Sequence, residues 1–229
     1  MWKTPELSRK INFNRLKSEN EEKLKKLKGN LKEHCKFIIP DIYLDETSLV
    51  IDAGANVGNF TSLFSRYDCK VYSFEPTKKT FKVLKNRFKS KKNVICYNQA
   101  CSSKNDKVKL YHHELSEYNE IYWSDGNSLL KSKTNINKND YEIVECIDLA
   151  EFIFSITKDK NVDFIKMDVE GAEIEIINHL IDTNAISKVN YLICETHEVK
   201  NKTLVKGTNL LKQKVKDKKL EDKIYFNWI

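Results

Sequence analysis

Apolar and polar positions change rhythm near residue 48. Upstream, Leu7, Ile11, Leu16, Leu24, Leu27, Leu31, Cys35 and Ile38 recur mostly at three-to-four-residue spacing with charges between them. That period predicts helix over residues 6–39, broken near Gly29 and Asn30. Downstream, short apolar runs alternate with amphipathic stretches. Leu49 to Ala53, Lys70 to Glu75 and Asn93 to Gln99 read as strands, with helices over Val57 to Arg66 and Lys78 to Phe88. Such βα repeats predict a parallel sheet with helices on both faces. The rhythm then breaks. Lys107 to His112 and Tyr141 to Ile147 read as two strands around a polar loop, Glu114 to Asp140. A loop of that length points to a functional or mobile segment. A strand over Val162 to Asp168, a helix over Ala172 to Asn184 and a strand over Val189 to Glu195 follow. Leu204 to Lys219 reads as a last helix and Ile224 to Trp228 as a last strand.

These elements fit one α/β domain over residues 48–229, carrying an inserted β-hairpin, behind an N-terminal helical extension over residues 1–47. No apolar run approaches the roughly 18 residues a membrane span needs. Met1 to Lys10 lacks the apolar core of a secretory signal, so a cytoplasmic protein is expected. The six cysteines form no C-x-x-C pair, and buried free thiols are expected rather than disulfides or a zinc site. The net charge of +7 is concentrated in Lys3 to Lys36 and Lys200 to Lys223. Aromatic residues are not interleaved with these lysines as a nucleic-acid stacking surface requires, so nucleic acid is disfavoured as a partner. The N-terminal helices offer a cover for the site, a surface contact or a homodimer contact, and the pattern does not choose among them.

Candidate chemistry begins where the first strand ends, at Asp52-Ala53-Gly54-Ala55-Asn56-Val57-Gly58. A strand running through a glycine turn into a helix is the entry to a nucleotide-type cofactor site. Gly54 and Gly58 carry no Cβ and let the backbone approach a ligand. The dinucleotide template G-x-G-x-x-G fails here, because Asn56 stands where its second glycine belongs. Glu75, in Phe74-Glu75-Pro76, lies about 20 residues further on at a strand end, where a carboxylate accepts both ribose hydroxyls. Asp52 and Glu75 together select a ribose-bearing, phosphate-free ligand with positive charge. S-adenosylmethionine has that chemistry.

Val50 to Gly58, Phe74-Glu75-Pro76 and Phe164-Ile165-Lys166-Met167-Asp168-Val169-Glu170-Gly171-Ala172-Glu173 together resemble the FkbM-type methyltransferases. The resemblance covers roughly residues 48–198. It implies a Rossmann-like class I methyltransferase fold with a mostly parallel seven-stranded sheet, S-adenosylmethionine as cofactor, and methyl transfer to a hydroxyl of a sugar, glycan or small molecule. It also implies that Asp52, Gly54, Asn56 and Gly58 line the methionine part of the cofactor and that Glu75, beside Pro76, holds the ribose. Asn98 and Ala100 would border the adenine.

Asp168 ends the fourth strand, beside the sulfonium end of such a cofactor. Lys166 and Asp168 share a strand face, as does Glu170 if the strand persists. Glu195 and His197 end the next strand two residues apart. Asp168, Glu195 and His197 are therefore expected to converge as catalytic groups. They would act either with Mg²⁺ or Mn²⁺ or as a metal-free acid–base set. Lys166 is weighed evenly as a carboxylate's structural partner and as a contact to an anionic substrate group. Glu173 reads as a first-turn helix acid. Two other functions fit less well. An RNA methyltransferase would use the basic ends, but Asp168-Val169-Glu170-Gly171 puts negative charge where a polyanion would lie. A non-catalytic scaffold would bind a partner through the N-terminal helices.

Overall fold

The computed structural model describes residue 31 and residues 41–199 and 201–226. The helices expected over 6–39 lie outside the described residues, apart from Leu31, which is fully buried. Six strands form the main sheet, in the order β3-β2-β1-β7-β8-β9. They are β1 (Leu49–Ala53), β2 (Lys70–Phe74), β3 (Val94–Tyr97), β7 (Val162–Met167), β8 (Val189–Cys194) and β9 (Ile224–Tyr225), and every pairing among them is parallel. The second sheet has the order β4-β6-β5, built from β4 (Ala100–Ser102), β5 (Asp106–His113) and β6 (Ile136–Asp148). The seven-stranded main sheet of the sequence reading is thus corrected to six among the described residues. The inserted segments pair with β4 and with each other, and so add no strand to it.

Alternation along β1 explains the layers. Leu49, Ile51 and Ala53 enter one core, with α4 (Leu149–Ile156), α5 (Glu173–Asp182) and α6 (Val205–Asp217) packed on it. Val50 enters the opposite core with Phe64 of α1 (Asn59–Ser65), Val71, Phe164 and Ile193. Leu84 and Phe88 of α2 (Lys78–Phe88) form a smaller cluster with Ala55. A sheet covered on both faces tolerates strands that are apolar throughout, and β1 is buried at all five positions.

Helix α4 is not predicted by the sequence pattern. Leu149, Phe152, Ile153 and Ile156 do follow the helical spacing, but eight residues fall short of the roughly 11–18-residue window in which that period is read. Asp148 caps it, accepting from the Ala150 and Glu151 N–H groups at 2.8 and 3.1 Å. Phe152 then packs edge-on against Phe74, Tyr72 and Tyr97, with ring centroids 5.1–5.7 Å apart. The inserted hairpin forms as expected, with β5 antiparallel to β6. A short helix, α3 (Glu120–Trp123), lies in the loop between them. Cys69, Cys96, Cys101, Cys146 and Cys194 are free thiols, and Cys35 lies outside the described residues. Among the described residues no helix is long and apolar enough to cross a membrane.

Strand order reverses at β1, which has β2 on one side and β7 on the other. The carboxyl ends of those strands therefore border a crevice, the usual ligand position in an open α/β sheet. Gly54 sits there with φ +78, and a Cβ on it would fall 1.7 Å from the Asp168 carbonyl oxygen. Gly54→Ala should lower the unfolding free energy in urea by roughly 3 kcal/mol or more, since both backbone and contact oppose it. Gly207→Ala, whose Cβ meets the movable tip of Ile174 at 3.1 Å, should change it by less than about 1 kcal/mol. Equal effects would contradict the tight β1–β7 approach.

Candidate active site

The floor of the crevice is ionic. Asp52 and Lys166 face each other across the β1–β7 pairing, and both side chains are buried. Lys166 Nζ donates to the Gly54 carbonyl at 2.7 Å, and pairs with Asp52 Oδ1 at 3.3 Å and more distantly with Asp168 Oδ2 at 3.9 Å. Its ammonium also lies 5.4 Å from the Phe60 ring centroid. Burial alone would lower the Lys166 pKa, but Asp52 and Asp168 outweigh it and hold the pKa above the ordinary lysine value. Asp52 Oδ2 accepts from the Thr61 hydroxyl at 2.7 Å, and that hydroxyl lies 2.8 Å from Ser73 Oγ. Asp52, read from sequence as lining the methionine part of a ligand, thus turns inward beneath the turn. Lys166 sits beneath the turn as well.

The rim is built from the turn and the ends of β2 and β3. Gly58 has φ +87 and a Cβ position 2.5 Å from Phe88, so α2 packs hard against the turn. Asn56 is left-handed at φ +51, and its N–H donates to Glu75 Oε2 at 3.0 Å. Glu75 Oε1 accepts from the Thr77 N–H at 2.8 Å. Burial pushes the Glu75 pKa up to about 7, against the pull of these two N–H groups. Asn98 Nδ2 donates to the carbonyls of Glu75 and Pro76 at 2.9 and 2.8 Å and so fixes this corner. Ala100 is buried at the start of β4. A cavity of about 200 Å³ opens beside Pro76 and Asn98, walled by Lys107, Ile143 and Val144.

The third part surrounds His197, which is 1 % exposed. Its backbone N–H and its Nδ1 both meet Glu173 Oε1, at 3.1 and 3.2 Å. Glu173 Oε2 accepts from the Gly171 N–H at 2.7 Å. On the other side of the ring, Nε2 lies 3.4 Å from Glu170, 3.6 Å from Asp168 and 3.8 Å from Glu195. The expected convergence of Asp168, Glu195 and His197 is present as proximity, and Glu170 joins it more closely than Glu195. Burial would lower the His197 pKa, but Glu170 and Glu173 raise it to about 10. Burial lifts Asp168 to about 6, Lys166 opposing and Glu195 and Glu170 reinforcing. Burial also favours protonation of Glu170, yet His197 and Lys133 outweigh it and keep the pKa below the ordinary value.

Sequence reasoning misses several of these residues. Lys133, 3 % exposed, bridges the Gly126 carbonyl and Glu170 Oε2 at 2.7 and 2.6 Å. Ser128 Oγ donates to the Glu170 carbonyl at 2.7 Å, and Asn56 Nδ2 to Ser124 Oγ at 3.3 Å. The inserted loop is therefore fastened to both sides of the crevice. Nothing local in Lys133 announces this, because its partner is 37 positions away. Glu173 had a signal, since it follows Gly171-Ala172 at a helix start, but its buried pairing with His197 is tertiary.

A parallel sheet that reverses at its central strand, with a glycine turn above that strand and an acid at the next strand end, defines a Rossmann-like nucleotide-binding α/β domain. The family model described as the methyltransferase FkbM domain matches residues 52–213. The chain belongs to this family and is a methyltransferase, and family membership implies S-adenosylmethionine as methyl donor. It is 23% identical over 188 residues to Methyltransferase 1 of Beauveria bassiana (strain ARSEF 2860), covering 72% of this chain and 76% of that protein. Among solved structures, it is similar to an rRNA methylase from Streptococcus thermophilus, at TM-score 0.33 and 11% identity over 64% of this chain and 57% of that one. It is also similar to a precorrin-6y C5,15-methyltransferase from Geobacter metallireducens GS-15, at TM-score 0.37 and 11% identity over 74% and 64%. The chain thus spans less than two thirds of either structure's length.

Lys166→Met should destabilise the fold by about 3–5 kcal/mol, because it strands the Asp52 carboxylate in the core. Asp52→Asn/Lys166→Met should cost less than the sum of the single variants, measured by urea unfolding. Strict additivity would show that the two groups do not depend on each other.

Proposed function

We propose that this chain is an S-adenosylmethionine-dependent O-methyltransferase whose acceptor is a hydroxyl of a small molecule, sugar or glycan. The observation that carries the reading is Asp168. Its carboxylate stands at the crevice end of β7, partly exposed, with Oδ1 free of hydrogen bonds beside His197 and a pKa near 6. A group of that pKa is ionised at neutral pH and accepts a hydroxyl proton as the oxygen becomes nucleophilic. S-adenosylmethionine, when bound, would supply the methyl group and leave as the neutral thioether, and Asp168 would take the proton that the hydroxyl gives up. In the ion-free protein His197 is held as an imidazolium with a pKa near 10, so it is not a second base. Glu195 adds negative charge facing the sulfonium. Lys166 acts by position, holding the Gly54 carbonyl and so the turn.

For the cofactor, Glu75 is read as the ribose acceptor. Each of its oxygens takes one backbone N–H and keeps a lone pair for a hydroxyl. Gly54, Asn56 and Gly58 give the turn the backbone shape for close approach. The cavity beside Pro76 and Asn98 offers space for the adenine. The acids at the mouth, Asp168, Glu170 and Glu195, weigh against a polyanionic RNA acceptor. A homodimer through the N-terminal helices stays a proposal of the sequence alone.

Two tests follow from the acids. With methyl-labelled donor and a panel of glycans, phenols, sugars and RNA, label should enter hydroxyl compounds, and kcat/KM should rise with pH through about 6 as Asp168 ionises. Asp168→Asn should lower kcat by about 10²-fold or more and flatten that rise. Label confined to RNA or to amines would sink the reading. In the second test, adenosylhomocysteine is titrated calorimetrically at pH 6 in two buffers of different ionisation enthalpy. Ribose hydroxyls favour the charged Glu75, whose pKa in the free protein is about 7, so binding should release a proton at pH 6 and none at pH 9. Glu75→Gln should abolish the release. Buffer-independent heats at pH 6 would contradict the ribose role.

A further inference from the structure

Two buried polar atoms at the crevice have no hydrogen-bond partner and face each other: Asp168 Oδ1 and His197 Nε2, 3.6 Å apart. The ring is not free to turn away. Glu173 Oε1 holds Nδ1 at 3.2 Å and the His197 backbone N–H at 3.1 Å, which aims Nε2 into the space between Asp168 and Glu170. Glu170 Oε2, the oxygen 3.4 Å from Nε2, also accepts from Lys133 Nζ at 2.6 Å, which leaves its second oxygen for a further partner. The gaps from Nε2 to Glu170 and Asp168, 3.4 and 3.6 Å, exceed a normal N–H···O bond. They suit two ligands of one ion. Adjacent ligands each about 2.1 Å from an octahedral ion lie about 3.0 Å apart, so the side chains need draw in by only about half an ångström to hold one.

We propose that Asp168, Glu170 and His197 bind one divalent cation of the Mg²⁺ and Mn²⁺ class, with Glu173 orienting the imidazole from behind. Ligand atoms of these three residues lie within 4.8 Å of one another. The set differs from the one expected from sequence. Glu170 replaces Glu195, which stands 3.8 Å from Nε2 and serves as a neighbouring negative charge. The donor set is two carboxylates and an imidazole with no thiolate, which suits a hard to borderline ion. A carboxylate behind a ligating histidine fixes its tautomer, here Nδ1–H toward Glu173 with the Nε2 lone pair toward the ion. Glu170 reaches the site from a left-handed backbone, φ +52, followed by Gly171 at φ +109. That bend turns its carboxylate back toward the ring. Beyond occupancy, the ion would bind the acceptor oxygen and ease loss of its proton. This second role rests on the O-methyl transfer reading, whereas the occupancy does not.

The test is titration of the full, metal-stripped chain with Mn²⁺, following the free-ion electron paramagnetic resonance signal, with adenosylhomocysteine binding measured on the same preparation. One Mn²⁺ should bind per chain and be displaced by Mg²⁺. Glu170→Gln and His197→Gln should each weaken it at least about tenfold, and Glu151→Gln, on the outer side of α4, should not. Should His197→Gln fail to fold, Glu170→Gln and Asp168→Asn carry the test. If adenosylhomocysteine binds but Mn²⁺ does not, the cation site is overturned and methyl transfer stands. If neither binds, both readings fall. Nitrogen NMR of His197 at saturating Mg²⁺ gives an independent check. Protons on both ring nitrogens would mean that the imidazolium alone occupies the position.

Discussion

One buried ammonium organises the centre of this molecule. Lys166 comes from β7, yet its charge is spent on β1, on the Gly54 carbonyl and the Asp52 carboxylate. A buried cation is tolerated only when its charge and its donors are met, and here both needs fall at the position where the chain turns over β1. The same place demands a glycine, because the Asp168 carbonyl occupies the volume a Cβ would need. Strand end, turn and the first residue after β7 therefore form one unit. The crevice is the open side of it. The Thr61 hydroxyl, held on Asp52 Oδ2 and 2.8 Å from Ser73 Oγ, extends the arrangement into α1 and β2.

A second charged unit stands beside the first and serves another purpose. Glu173 at the start of α5 gathers the Gly171 N–H and the His197 N–H and ring, joining the loops after β7 and β8. Lys133 and Ser128 then bring the inserted loop onto Glu170. The insertion is thereby tied to the acids that would handle the acceptor, while Asn56 and Ser124 tie it to the cofactor turn. An acceptor entering the crevice meets side chains fixed from three directions.

The core of the fold was legible because its strands are short, mainly apolar runs. Leu49 to Ala53, Val162 to Met167 and Val189 to Cys194 are read from sequence to within a residue of their limits. Strand β6 was not, because its first half, Ile136 to Tyr141, is exposed after the first residue and carries no alternation to read. Its pairing with β5 is set by the partner strand and not by burial. At the site, the motif residues were legible and their directions were not. A period of two places Lys166 and Asp168 on one face. It cannot say that the lysine is satisfied below the turn while the aspartate reaches the crevice. That depends on Asp52, on the neighbouring strand.

Charge also separates surface from site. The chain carries a net +7, yet the crevice concentrates Asp168, Glu170, Glu173 and Glu195 around His197. Lysines such as Lys206, Lys216, Lys218 and Lys219 lie exposed along and after the last helix. An overall basic composition therefore says little about what the site attracts. Screening confines the influence of such solvated lysines to about 10 Å at moderate salt. Within the crevice, low polarity strengthens the acids' preference for positive charge. A sulfonium and a divalent ion both answer that preference. In the proposed transfer they would serve opposite ends, one carrying the methyl group and the other acidifying the oxygen that receives it.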